Sequence, residues 1–176
     1  MFRLKQIHSR PSKKKYPKPD VKRILAEESL LRGILGSVAI AALLCWAWAV
    51  HAMTTGRVFP WFSILIGMLI GVAMQRFGRG MDWRFPLSAG LVAGVAAYAG
   101  NLMIGVLQTG RYIEAQPLQV IAGISLDTIS HFFKNTITPV DHIYALCSVG
   151  VAAFFANRRL NRREVLALRS NKREGE

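Results

Sequence analysis

The chain has 176 residues, 52% hydrophobic and 19% charged, with a formal net charge of +13. A basic excess of that size often marks nucleic-acid binding, but here the lysines and arginines sit in two tails and one short loop, and a basic face on a folded domain, which such binding needs, is missing, so nucleic acid is excluded as a partner. The apolar residues come in long blocks, and the two cysteines, Cys45 and Cys147, both lie inside such blocks, which argues against a disulfide-stapled secreted domain.

Residues 1–19 carry Lys13, Lys14, Lys15 and Lys18 between Pro11, Pro17 and Pro19, and read as a disordered basic tail. Residues 20–32 read as an amphipathic cytoplasmic helix: Asp20 is placed to cap it, and Val21, Ile24, Leu25 and Leu31 recur near helical spacing. The first apolar run starts only after this polar stretch, and no small-residue cleavage site follows it. The sequence therefore predicts a retained span rather than a cleaved signal peptide.

Four spans are predicted within a membrane domain covering residues 33–157. The first, 33–53, has the roughly 20 apolar residues that cross a hydrocarbon core of about 30 Å, with Trp46 and Trp48 toward its far end. The second, 58–74, opens on Phe59, Pro60, Trp61 and Phe62, an aromatic belt with proline in the first turn. A tight basic loop with Arg76, Arg79 and Arg84 follows, in which Gly78-Arg79-Gly80 is a turn and not a phosphate loop. The third span, 85–107, is rich in glycine and alanine and carries one strongly polar side chain, Asn101. The periplasmic segment 108–138 has too many large apolar residues for a free loop and reads as an interfacial helix; the fourth span, 140–157, comes after it. A basic cytoplasmic tail, 158–176, ends the chain. The fold class is thus all-α, an integral membrane protein.

Charge sets the threading. Ten lysines and arginines precede the first span, three lie in the middle loop and seven follow the last span, so 20 of the 23 fall on one side if four spans are crossed. Basic residues beside spans stay in the cytoplasm, which gives an N-in, C-in orientation. Lys13, Lys14, Lys15, Arg76, Arg79, Arg158, Arg159, Arg162 and Arg163 are the candidates for contact with anionic lipid headgroups, each contributing on the order of 1 kcal/mol.

Gly67 and Gly71 in the second span and Gly90 and Gly94 in the third form GxxxG faces, which let two backbones approach closely; the two helices are expected to pack on each other. Asn101 is expected to hydrogen-bond a neighbouring helix. His51, Asp141 and His142 are weak metal candidates because the first span ends where the fourth begins, but their spacing supplies no motif, and Asp141 just after Pro139 is placed to cap a helix. Ser37, Ser63, Ser88 and Ser148 suit packing, and no nucleophile has a base in register. No cofactor is implied.

The run Ile66-Gly67-Met68-Leu69-Ile70-Gly71-Val72-Ala73-Met74, then Arg76 and Gly78-Arg79-Gly80, Gly100-Asn101-Leu102, and Thr138-Pro139-Val140-Asp141, resembles a group of uncharacterised bacterial four-span inner-membrane proteins over residues 30–160. Some members of that group look fused to a zinc ribbon, whereas the N-terminal tail here has no cysteine. The resemblance implies an inner-membrane location and a compact four-helix unit, and no activity. Together these features lead to the expectation of a non-enzymatic, multi-pass protein that serves as a subunit, stabiliser or assembly partner, with other membrane proteins or itself as partner; the alternative is a small channel or transporter acting as an oligomer.

Overall fold

Gly33 and Gly36 have no side chain to keep a neighbour away, and the rest of the first apolar stretch is built from alanine, leucine and tryptophan. The computed structural model, which describes residues 26–158, 160–162 and 164–166, shows what that composition does. Helix α1 spans Leu30–Thr55, with the Ser29 hydroxyl accepting from Arg32 N–H at 3.4 Å and Gly56 in the left-handed conformation (φ 67°) closing its C-terminus. Helix α2, Phe62–Ala73, runs without a break into a π-turn, Met74–Gly78. Arg84–Tyr112 forms α3, and α4 (Pro117–Ala122) and α5 (Leu126–Thr136) are short. Helix α6, Pro139–Ala156, starts with a reciprocal cap: Thr138 N–H donates to the Asp141 carboxylate at 2.8 Å and Asp141 N–H to the Thr138 hydroxyl at 3.4 Å. No strand occurs among the described residues.

Three helices, α1, α3 and α6, are long and apolar enough to cross a membrane; Phe62–Gly78 is a shorter apolar helix. Their lengths differ in a way that matters. α1 has 26 residues and α3 has 29, about 39 and 44 Å at 1.5 Å per residue, whereas α6 has 18, about 27 Å. α2 with its π-turn is shorter still.

Several boundaries differ from the sequence reading. Residues 20–25 lie outside the described residues, but Glu27 is in a turn and Ser29 caps a new helix, so 30–32 belong to α1 and not to a separate amphipathic helix. The second helix begins at Phe62, because Pro60 and Trp61 form a turn, and it extends through Gln75 and Arg76, which the sequence places in the loop. The third continues past 107 to Tyr112, and the segment that follows folds into two short helices, not one.

Residues 26–158 belong to one unit, in which the long helices pack in the ring α1, α3, α6, α2 and back to α1. The tall pair, α1 and α3, is therefore adjacent, as is the short pair. Across the ring, α2 and α3 also touch. The core is Ile66, Ile70, Met74 and Trp48 set among Ala49, Ala89, Ala93 and Ala152, all fully or nearly fully buried. In lipid such packing rests on close contact of small residues, because apolar burial alone gives no advantage over the surrounding tails. The opposite surface is apolar as well: Leu31, Leu35, Leu43, Leu91, Val95, Ile143, Leu146 and Phe154 are exposed, as suits a hydrocarbon solvent.

α4 and α5 contain no fully buried residue. They lean on the far part of α3, where the Phe132 ring lies over Gly105 and Val120 lies beside Gly110. Residues 160–162 and 164–166 belong to a second unit, in which Asn161 N–H donates to the Glu164 carboxylate at 2.7 Å.

Candidate functional site

The two glycine faces meet a common partner. A Cβ on Gly67 would run into the backbone and hydroxyl of Ser148, and one on Gly71 would come within 2.5 Å of the Ala152 carbonyl. On α3, a Cβ at either Gly90 or Gly94 would stand 3.2 Å from the Val149 side chain. The two helices that carry the motifs touch each other as expected, but the glycine faces themselves receive α6: glycine spacing specifies that something approaches, and the choice of neighbour comes from the ring order. The α2 contact is backbone to backbone, whereas the α3 contact is chiefly with the Val149 side chain and is looser; Gly90 is buried and Gly94 half-buried. With Leu87, Leu91, Val95, Tyr98, Val149 and Ala153 they form an outward-facing apolar groove of about 560 Å³ between α3 and α6.

Polar groups inside the bundle are spent on backbone carbonyls. The Ser148 hydroxyl donates to Ser63 O at 2.7 Å, Ser63 to Pro60 O at 2.8 Å, Ser37 to Ile70 O at 3.4 Å, and the Cys45 thiol to Ala96 O at 3.3 Å. Asn101 also stays local, donating to Ala97 O in its own helix at 3.1 Å; the cross-helix bond expected of it is not formed, because the i−4 carbonyl lies within reach of its short side chain. The Trp48 indole is stacked on Phe62 with ring centroids 5.9 Å apart and covers Gly100, and among the described residues its buried N–H has no hydrogen-bond partner.

At one end of the bundle the N-terminus of α1, the π-turn, the start of α3 and the end of α6 converge. Ser29 N–H donates to Gly78 O at 2.9 Å, Arg158 N–H to Gly80 O at 3.1 Å and the Gln75 amide to Asn157 O at 2.7 Å. Glu27 lies between two guanidinium groups, 3.1 Å from Arg79 and 3.3 Å from Arg158. Arg79 has a left-handed backbone (φ 52°), an uncommon conformation for a non-glycine residue, and the contact with Glu27 helps to hold it. Arg84 pairs with Asp82 at 3.4 Å, and Arg76 is exposed. Of the other basic candidates, Arg162 is exposed in the second unit, while Lys13, Lys14, Lys15, Arg159 and Arg163 lie outside the described residues.

The metal candidates are occupied separately. The His142 Nδ1 lies 2.7 Å from the Tyr98 hydroxyl, Asp141 caps α6, and His51 stacks on Phe62 at the end of α1. Among the described residues no group of three or more His, Cys, Asp or Glu side chains is placed to hold a metal. Sequence reasoning passed over Tyr98 and the bridging role of Glu27; the second had a signal, the acidic pair Glu27-Glu28 beside strongly basic segments, and the first had none.

Comparison of the chain with protein-family models, curated proteins and solved structures finds no match in any of the three. Its chemistry is therefore read from its own side chains: three helices suited to crossing a membrane, serines and a thiol bonded to backbone, and an arginine-rich end in which Glu27 pairs with Arg79 and Arg158 and Asp82 with Arg84.

Proposed function

We propose that the chain is a non-enzymatic, multi-pass inner-membrane protein that serves as a subunit, stabiliser or assembly partner of a larger membrane complex, in keeping with the four-span bacterial group it resembles. The observation that carries this reading is the glycine-floored groove between α3 and α6. A helix of a partner, or of a second copy, can seat against Gly90 and Gly94 at the close range that small residues allow. The filled core and the backbone-bonded hydroxyls favour this role over conduction, which depends on polar or ionisable groups along a path.

In this reading Phe62–Gly78 completes a set of four spans, α5 lies in the opposite interface, and the end carrying Glu27, Arg76, Arg79, Arg84 and Arg158 faces the cytoplasm. The gathering of those arginines at the end where α1 begins and α6 finishes supports it. The test is a photo-crosslinking amino acid at Leu91, an exposed position on the groove wall, in cells that express the protein at native level. A reproducible adduct to one membrane protein or to a second copy is expected. Crosslinks to lipid alone would refute the assembly role.

A further inference from the structure

On the lipid-facing side, between α1 and α2, a second groove of about 390 Å³ is lined by Ile40, Leu43, Leu44, Leu69, Val72 and Phe77 and ends at Arg76. Its polar end is held in place by the π-turn. Met74–Gly78 winds one residue wider than an α-helix, a departure that often accompanies function. The turn is pinned to α1 at two points: the Phe77 ring sits on Gly36, where any Cβ would overlap it, and Gly78 packs backbone to backbone on Gly33, whose Cβ would stand 3.0 Å from the Gly78 Cα. Arg76 is thus attached to a fixed segment next to the groove. At this end of the bundle Arg79 and Arg158 contact Glu27 and Arg84 contacts Asp82. Among the described residues Arg76 has no acidic partner.

We propose that this groove binds one anionic phospholipid, with an acyl chain along the leucine, isoleucine and valine walls and the phosphodiester on the Arg76 guanidinium. A guanidinium pairs with phosphate through parallel N–H donors, a geometry that a diffuse attraction between charged tail and membrane does not supply. Apolar contact is the same for every lipid of equal chain length, so the preference comes from the headgroup. A zwitterionic lipid carries its own ammonium to compete with Arg76, and an anionic one does not. The assignment rests on the proposal that this end of the bundle lies at the cytoplasmic leaflet.

The test is native mass spectrometry of the full-length protein from mild detergent, titrated with phosphatidylglycerol or phosphatidylcholine of identical chains. One phosphatidylglycerol is expected to be retained roughly fivefold over phosphatidylcholine, the ratio that a single arginine near a headgroup provides. R76Q is expected to erase that preference, and L43W, which adds bulk to an exposed groove wall, to reduce retention of both lipids. R84Q removes the same charge from the same end and is expected to leave the preference intact. Equal retention of the two lipids, or an R84Q loss as large as that of R76Q, would overturn the site and leave the proposed orientation standing. Impermeant labelling of residue 82 from outside the cell would instead overturn the orientation, independently of any lipid preference in detergent.

Discussion

Substituting Gly67 by alanine places a methyl group against the backbone of α6, where the Ser148 carbonyl and hydroxyl already fill the space. The obstacle is main chain and cannot rotate away, so α2 and α6 must separate. Overpacking of this kind costs about 1–3 kcal/mol. Separation also stretches the 2.7 Å bond from Ser148 to Ser63 O, worth about 0.6 kcal/mol in a membrane protein. A net loss of about 2 kcal/mol is expected, roughly a thirtyfold fall in the folded-to-unfolded ratio. Two companion variants fix the interpretation. At Gly90 the nearest atom is the Val149 side chain at 3.2 Å, which can give, and G90A is expected to change stability by less than about 1 kcal/mol. At Gly150 nothing lies within 4 Å, and G150A is expected to stabilise by about 0.5–1 kcal/mol through helix propensity alone. Steric-trapping measurements in bicelles, or thermal melts in one detergent, would rank the three. If G67A proved as stable as G150A, the close crossing of α2 and α6 would be wrong.

Glu27→Gln removes the carboxylate from Arg79 and Arg158; because these side chains are partly exposed, the expected loss is at most about 1 kcal/mol, and the variant's melting temperature should respond less to added salt than that of the unaltered protein. Ser148→Ala deletes a buried donor while leaving its acceptor on a helix, so a loss of about 0.6 kcal/mol without change of fold is expected, read by the same melts and by helical circular dichroism. For threading, single cysteines at the exposed positions Arg57 and Asp82, in a background with Cys45 and Cys147 replaced by alanine, should label differently in intact cells: position 57 reacts with an impermeant maleimide and position 82 reacts only after permeabilisation.

Three of the spans were legible because about twenty apolar residues at helical rise leave little choice of structure. The ends were less so. The sequence showed Thr138 three residues before Asp141 with proline between them, and the reciprocal cap forms there. It gave no comparable sign that Arg76 would continue a helix, since a π-turn depends on Gly33 and Gly36 of another helix accepting Met74, Phe77 and Gly78. GxxxG announced close approach and was silent on the neighbour, because Gly67 and Gly90 have the same local pattern and face α6 from different sides. Asn101 was misjudged for a related reason: a polar group in an apolar stretch must be satisfied, and the nearest acceptor was its own backbone.

The inequality of helix lengths bears on how the protein sits among lipids. α1 and α3 together present a tall flank and α2 and α6 a short one, with a difference of more than 10 Å between α1 and α6. If all four helices cross the bilayer, as proposed above, a sheet of lipid with one hydrophobic thickness does not match both flanks, and the surrounding leaflets pinch beside α2 and α6 or the whole unit tilts. Either deformation is relieved when a neighbour with an equally short span covers that flank. On that proposed reading membrane thickness is a variable acting on association, with thicker bilayers favouring contact between the short sides.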